Sequence, residues 1–313
     1  MIATLDTAAY VAKMLSVPRV GAEKILAFYE HRVGAICRDA HCMLMPLDDH
    51  LAHRGDGIFE SMKYEHGRIY QLDAHLTRME RSAAGLMLMP PCSWLEMREI
   101  ILDVARATGQ EAGMLRILVG RGSGGFGIDP AECPEASLYI AAYAFSPKSQ
   151  AWYDKGLTAF RSSIPAKQSY LARIKNANYV PNMMMVREAH ERNMDVAFGF
   201  DKDGHLTEAA IANVAIVDAN GNLAVPRFDN ALAGTTVLRG MELMGQHIHV
   251  EQRNITEDEI FHAREVLMFG TSSDCVSIVA YEGKPIQDGK AGPVAKKVRA
   301  LLQADLLENG VCL

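Results

Sequence analysis

The sequence predicts an α+β protein of two domains. Its 313 residues, 49% of them hydrophobic, can bury a large core and suit two domains better than one small module. Segments with strand and helix periodicity alternate on both sides of a polar, proline-containing stretch at 145–150. We therefore expect a helical extension over 1–30, a small α+β domain over 31–145, a linker over 146–155 and a larger domain over 156–313.

Short strands are expected after the helical extension. Apolar residues recur at helical spacing within 1–30, whereas beyond Arg32 the pattern shortens to β-rich segments at 42–46, 57–64 and 68–72. The polar turn Glu65-His66-Gly67 joins the last two segments. This arrangement predicts a β-hairpin.

Two helices and two further strands complete the first domain. Asp73 can cap a helix that ends before Pro90, and a second helix is expected over 94–108. Strands at 114–119 and 136–143 enclose a glycine-rich loop. The loop lacks the lysine and the spacing of a P-loop, so we assign it no nucleotide.

The second domain alternates strands with helices. Strands are expected at 197–200, 213–218 and 265–269, and helices at 179–191, 236–244 and 294–307.

Charge and cysteine content argue against several classes of protein. The 32 basic and 38 acidic side chains give a net charge of −6, and the basic residues are scattered, so we expect no nucleic-acid partner. We see no apolar run of membrane-spanning length and no signal-peptide pattern, and we expect no membrane association. The six cysteines lack Cys-x-x-Cys spacing, which indicates free thiols in a reducing, cytoplasmic compartment.

Three ordered features point to pyridoxal 5'-phosphate as a cofactor. Lys175 stands in Arg-Ile-Lys-Asn-x-Asn-Tyr, Glu208 follows 33 residues later, and Gly234-Thr235-Thr236 comes next. An amine can bond to the cofactor's aldehyde, a carboxylate can keep its ring nitrogen protonated, and amides or hydroxyls can bind its phosphate. We expect no metal.

The Gly-Thr-Thr segment begins a predicted helix. Val237, Leu238, Met241 and Met244 form one apolar face behind it. The free amides of a helix N-terminus can bind a phosphate, although the same residues also suit an ordinary threonine cap.

These motifs together resemble the class IV aminotransferases, which are fold-type IV pyridoxal phosphate enzymes. That family includes branched-chain and D-amino acid aminotransferases and aminodeoxychorismate lyase. The similarity runs from about Arg32 to the C-terminus. It implies a larger C-terminal domain with a β-barrel-like core and surrounding helices, and a homodimer whose site lies between the domains and is closed by loops of the partner subunit.

The resemblance also implies cofactor-binding roles. Lys175 matches the Schiff-base lysine, which also serves as the base that moves the substrate's α-proton. Glu208 would pair with the pyridine nitrogen, supported by Asn213. The phosphate would be held by a set of donors on three segments: Arg78, Gly234, Thr235, Thr236 and Thr271.

Substrate contacts follow from the same resemblance. Phe59 would line the pocket, and the turn of Thr271 and Ser272 would meet a substrate carboxylate, although the family usually has alanine where Ser272 stands. Arg54 replaces the tyrosine of branched-chain enzymes and could bind a carboxylate; alternatively, it is a salt-bridged surface arginine. His75 is expected to be a packed histidine without a role.

We therefore expect an aminotransferase that moves the amino group of an amino acid to a 2-oxo acid. The first alternative is an aminodeoxychorismate lyase that forms 4-aminobenzoate and pyruvate. The loop Arg121-Gly122-Ser123-Gly124-Gly125 resembles the lyases, whereas Phe59-Glu60-Ser61 resembles the transaminases. The second alternative is a sensor that retains the cofactor without catalysis, against which the intact Lys175, Glu208 and Arg78 argue.

Overall fold

Two β-sheets and their flanking helices form the protein. The computed structural model describes residues 1–167 and 169–313. Its first half contains α1 (Thr7–Ser16), β1 (Ile25–Glu30), β2 (Ala35–Cys37), α2 (His50–Arg54), β3 (Gly57–Glu65), β4 (Arg68–Ile69), α3 (Leu72–Gly85), α4 (Trp94–Ala107), β5 (Gly113–Gly120) and β6 (Ser137–Tyr143). Short 3₁₀ turns lie at Ala22–Lys24, Ala40–Cys42 and Pro130–Glu132.

The second half continues the alternation of helices and strands. Its elements are α5 (Gln150–Lys155), β7 (Leu157–Arg161), α6 (Ser169–Ala172), α7 (Val180–Glu191), β8 (Val196–Phe200), β9 (Leu206–Ala209), β10 (Asn213–Val217), β11 (Leu223–Pro226), α8 (Thr235–Met244), β12 (Val250–Arg253), α9 (Glu257–His262), β13 (Glu265–Gly270), β14 (Asp274–Tyr281), β15 (Lys284–Pro285), α10 (Pro293–Asn309) and β16 (Val311–Cys312).

The first sheet has the order β16-β4-β3-β5-β6-β1-β2. The predicted hairpin is confirmed, because β3 and β4 pair antiparallel through Tyr64–Ile69. Helix α3 packs on β3 with Leu72, Leu76 and Met79 buried at helical spacing. The same buried face carries His75 and Arg78, so the packing of α3 brings polar groups to the inside of the fold.

The second sheet curls into a barrel-like core. Its main path is β12-β11-β10-β13-β14-β7-β8-β9. The two ends approach each other, because Leu206 N on β9 donates to Ile255 O at 2.8 Å, just beyond β12. Every residue of β8, β10 and β11 is buried, as expected for strands covered on both faces. The expected α+β fold with a barrel-like C-terminal core is confirmed.

Three local expectations were wrong. Residues 25–30 form β1 rather than helix, because pairing with β6 and β2 outweighs their helical spacing. The expected strand at 42–46 is absent from the described chain: Arg19 Nη1 donates to the Met43 carbonyl at 2.8 Å, an acceptor that a strand ladder would need. Gln71, not Asp73, is the N-cap of α3, and Asp73 instead pairs with Arg98 at 2.8 Å.

The chain's last residues return to the first sheet. Strand β16 pairs with β4 through Val311–Ile69, and Tyr70 donates to Asp305 of α10 at 2.7 Å. Within the expected linker, α5 places Tyr153 against the second core. The domain limits given above stay a prediction, but the two halves are joined by side chains at several points.

Asp305 gives a stability test of that joint. Its buried carboxylate also accepts from Arg239 Nε at 2.9 Å and from Asn309 Nδ2 at 2.8 Å, so Asp305→Ala leaves Tyr70, Arg239 and Asn309 without this acceptor. We expect a loss of about 2 kcal/mol in the free energy of unfolding. Urea unfolding measures it.

The matched control is Asp203→Ala, which removes an exposed pair with Lys202. This control should change stability by less than about 0.5 kcal/mol. Equal losses in the free energy of unfolding for the two substitutions would show that the buried contacts of Asp305 stabilise the protein no more than an exposed ion pair does.

Candidate active site

Lys175 is fixed on the edge of the first sheet although it belongs to the second half of the chain. Phe59 N on β3 donates to Lys175 O at 3.0 Å, and Ala177 N donates to Gly57 O at 2.9 Å. Lys175 N donates to Ser82 Oγ on α3 at 3.2 Å. The lysine backbone is therefore held by two elements of the first half, and its side chain faces the cleft between the halves.

The Lys175 amine lies in an aromatic and charged environment. Its Nζ is 4.5 Å from the Phe59 ring centroid and 3.5 Å from Tyr179 Oη. Burial and, next, the positive charge of Arg78 together lower the pKa of Lys175 to about 8, against the opposing charges of Glu60 and Glu208. A neutral, nucleophilic amine is therefore available close to physiological pH.

Glu208 faces the same cleft from β9. Its Oε2 accepts from Leu232 N at 3.1 Å. Burial raises the pKa of Glu208 to about 7, although that hydrogen bond and the charges of Lys175, Lys167 and Arg78 oppose the rise. A cation placed against this carboxylate would hold it ionised, as the protonated ring nitrogen of a pyridine would.

A buried polar network orients Arg78. Its Nε and Nη2 donate to the two carboxylate oxygens of Glu60, each at 2.7 Å. His75 Nδ1 lies 2.7 Å from Glu60 Oε2, and His75 Nε2 lies 3.2 Å from Thr235 Oγ1 on α8. Burial would raise the pKa of Glu60, but Arg78 and His75 outweigh it and keep the carboxylate ionised.

The N-terminus of α8 is open to an anion. The N-cap Gly234 has no capping side chain, and Thr235 and Thr236 are both buried in the cleft wall. A Cβ on Gly234 would overlap Asn213 Oδ1, while Asn213 Nδ2 donates to Leu232 O at 2.7 Å. Uncapped amides, two hydroxyls and a guanidinium are the donors that a phosphate monoester needs.

The remaining expected residues are not all gathered in this cleft. Thr271 lines it, in the turn between β13 and β14, whereas its neighbour Ser272 is exposed and is not among the described residues that line it. Phe59 contacts the Lys175 amine. Arg54 is exposed at the end of α2, where it donates to Gly127 O at 3.0 Å and Phe126 O at 2.6 Å.

The structure thus brings together all eight of the expected cofactor-binding residues. The cleft is lined by Lys175, Glu208 and Arg78, by the segment that follows β9, by the start of α8 with its N-cap, and by the turn after β13; these segments contribute Asn213, Gly234, Thr235, Thr236 and Thr271. These groups fit pyridoxal 5'-phosphate: a neutral amine for its aldehyde, a carboxylate for its ring nitrogen and an open helix start for its phosphate. No group of three or more His, Cys, Asp and Glu side chains suited to a metal ion occurs in the described chain.

Sequence reasoning missed several side chains of this site. Glu60 and His75 carry the network behind Arg78, and Tyr179 lies beside the lysine. Arg116 on β5 places its guanidinium carbon 4.9 Å from the Phe59 ring. Of these, Tyr179 offered a signal, since it stands four residues after Lys175; the others depend on strand pairing.

None of the helices among the residues described by the model combines the length and apolarity required to cross a membrane.

The family model and the similar proteins all indicate the same family. The model of amino-transferase class IV matches residues 57–281. A D-amino-acid transaminase of Arabidopsis thaliana chloroplasts is 31% identical over 297 residues, covering 91% of this chain and 78% of that protein. A D-alanine aminotransferase of Bacillus licheniformis is 25% identical and is covered over 96% of its length.

Solved structures have the same fold. A branched-chain amino acid aminotransferase crystallised with pyridoxamine 5'-phosphate superposes with a TM-score of 0.86 at 24% identity, covering 90% of this chain and 94% of that one. The branched-chain aminotransferase of Thermoproteus uzoniensis superposes with a TM-score of 0.82 at 23% identity, covering 91% and 95%. The family model spans well over half of the sequence. The chain therefore belongs to the class IV aminotransferases and is a pyridoxal phosphate-dependent aminotransferase.

Proposed function

We propose that Lys175 is the catalytic residue of this transaminase. When bound, pyridoxal 5'-phosphate supplies a ring that withdraws electrons from the substrate's α-carbon. Lys175 would hold the cofactor through its amine and, once a substrate amine has taken its place, would carry the α-proton. The observation that carries this role is the pKa of about 8 at an amine that faces Glu208 and Arg78 across one cleft.

The cofactor contacts are part of the same proposal. Arg78, the amides after Gly234, and the hydroxyls of Thr235, Thr236 and Thr271 hold the phosphate. Glu208 pairs with the ring nitrogen. Asn213 keeps the 232–234 segment in place through its bond to Leu232 O.

Cofactor loading should report the lowered pKa of Lys175. Only the neutral amine adds to an aldehyde, so the rate of attachment should rise with pH and level off above about pH 8. Mixing cofactor-free protein with pyridoxal 5'-phosphate and following absorbance measures this rate. A midpoint near the ordinary lysine value of about 10.4 would contradict the role of burial.

Gly234→Ala tests the phosphate site. The new Cβ would overlap Asn213 and push the α8 amides away, at a cost of about 1–3 kcal/mol, which corresponds to roughly 5- to 150-fold weaker cofactor binding. Equilibrium dialysis of the cofactor measures it. In the double variant with Asn213→Ala the overlap disappears, so Gly234→Ala should then have little further effect. Additive losses would contradict this explanation.

Arg116 is placed to bind a carboxylate of the substrate. Its half-buried guanidinium stacks on Phe59, and within the described residues it makes no hydrogen bond and no ion pair. The Lys175 Nζ lies 4.5 Å from the centroid of the same Phe59 ring, so Arg116 is near the reacting amine. We propose that Arg116, rather than Arg54, binds a substrate carboxylate, with Thr271 and Phe59 completing the pocket and Ser272 at its edge.

The amino donor that we propose is a D-amino acid. The support is the 31% identity to a D-amino-acid transaminase, against 26% for the branched-chain enzymes of Pseudomonas aeruginosa and Methanocaldococcus jannaschii. The acceptor is a 2-oxo acid. A 2-oxo dicarboxylic acid would use Arg116 directly.

The half-reaction tests this proposal. The protein carrying its cofactor is mixed with matched D- and L-amino acids, and absorbance follows conversion to pyridoxamine 5'-phosphate. Conversion by D-amino acids is expected; conversion by L-branched-chain amino acids alone would overturn the proposed handedness. Release of 4-aminobenzoate and pyruvate from aminodeoxychorismate, without transamination, would identify the lyase instead.

Arg116→Met tests the proposed carboxylate contact without changing the residues proposed to bind the cofactor. Losing a charge-assisted bond should raise KM for 2-oxoglutarate about 10- to 100-fold, with a smaller effect on monocarboxylic 2-oxo acids. The control is Arg187→Met, which removes an exposed arginine paired with Glu191 on α7. Unchanged KM in the Arg116 variant would exclude the contact.

We further propose a homodimer in a reducing, cytoplasmic compartment. Phe126 and Ile128 are 66% and 85% exposed in the glycine-rich loop, where a second subunit would cover them. Free cysteines at Cys37, Cys42, Cys92, Cys133, Cys275 and Cys312 support the compartment. Light scattering measures the mass in solution.

A further inference from the structure

A second pocket adjoins the cofactor cleft and shares Arg78 and Leu232 with it. Helix α3 contributes Arg78, Arg81 and Gly85, which lie three and four residues apart and therefore on one helix face. Arg173 and Tyr170, from the segment before Lys175, form the facing wall. None of the activity derived above uses this space.

The pocket is strongly basic. Three guanidinium groups line it, whereas no Asp or Glu is found among its lining residues in the part of the chain that the structure describes. The carboxylate of Glu60, which is not among the residues that line this pocket, neutralises the charge of Arg78 through an ion pair. Arg81 is exposed and makes no hydrogen bond or ion pair with the described residues, so an anion entering the pocket meets an uncompensated charge.

The walls of the pocket are held in place. Tyr170 Oη donates to the Gly85 carbonyl, which ties the segment before Lys175 to the end of α3. A Cβ on Gly85 would meet the Ile174 side chain, so the two elements approach as closely as a glycine allows. Phe228 adds a half-buried aromatic ring beside these charges.

This combination selects a class of ligand. Guanidinium groups bind phosphate oxygens through paired, charge-assisted hydrogen bonds, and Tyr170 and Phe228 offer apolar surface to a flat ring. We propose that the pocket is a second anion site, separate from the cofactor's own, which binds a phosphate monoester that carries a flat ring. Arg81 and Arg173 hold its phosphate, and Arg78, whose guanidinium is engaged with Glu60 and the cofactor's phosphate, forms the inner wall.

Binding of phenyl phosphate to the protein with its cofactor in place tests the site. Calorimetry would compare phenyl phosphate, inorganic phosphate and benzoate, while absorbance confirms that the cofactor stays bound. The expected order of affinity is phenyl phosphate, then inorganic phosphate, then benzoate. Arg81→Gln should weaken phenyl phosphate binding about tenfold or more, since it removes charge-assisted hydrogen bonds.

Two further variants sharpen the outcome. Arg187→Gln, on the exposed face of α7, should leave phenyl phosphate binding unchanged. Phe228→Leu should weaken phenyl phosphate binding more than inorganic phosphate binding. Turnover by the Arg81 variant should match the unaltered protein, because Arg81 is not part of the catalytic cleft.

Three results would overturn the proposal. The first is equal affinity of the unaltered protein and the Arg81 variant for phenyl phosphate. The second is benzoate binding as tightly as phenyl phosphate, which would mean that the aromatic ring alone is recognised. The third is loss of the cofactor's absorbance on titration, which would place the probe in the cofactor cleft. None of these depends on the substrate of the transaminase.

Discussion

The attachment of the Lys175 segment to the edge of β3 is the contact on which the site depends. Two backbone hydrogen bonds make residues 175–177 a short continuation of the first sheet, although the chain has already entered the second half. The nucleophilic amine is thereby positioned by one half of the molecule. Glu208 and the α8 helix start, which face it, belong to the other half.

A second constraint crosses the same boundary through buried charge. Glu60 accepts hydrogen bonds from both Arg78 and His75, and His75 reaches Thr235 at the start of α8. A buried carboxylate with this many donors is satisfied, and so are the guanidinium and imidazole that it orients. The network therefore fixes the direction of Arg78 before any phosphate is bound, which reduces the cost of ordering it on binding.

The sequence predicted the cofactor chemistry better than it predicted the residues that position the site. Lys175, Glu208 and the Gly-Thr-Thr helix start carry local signatures, and the helices and most expected strands are found within a few residues of their predicted limits. Residues 25–30 were assigned to helix because pairing with β6 depends on residues more than a hundred positions away. The roles of His75 and Arg116 also depend on contacts that the sequence does not reveal. The carbonyls that Arg54 contacts likewise lie in a loop 72 and 73 residues further along the chain. Strand pairing cannot be derived from spacing alone.

The position of Lys175 has a consequence for the working life of the enzyme. In the proposed arrangement, the bond between Lys175 and the cofactor and the contacts to the cofactor's phosphate would hold the two halves together from opposite sides of the cleft. Once a substrate has displaced Lys175, only the non-covalent contacts proposed for Arg78, the α8 amides and Glu208 would remain. Cofactor dissociation, with any loosening of the two halves that accompanies it, should therefore occur during turnover rather than in the resting enzyme. Incubation with an amino donor but no acceptor should inactivate the protein fastest.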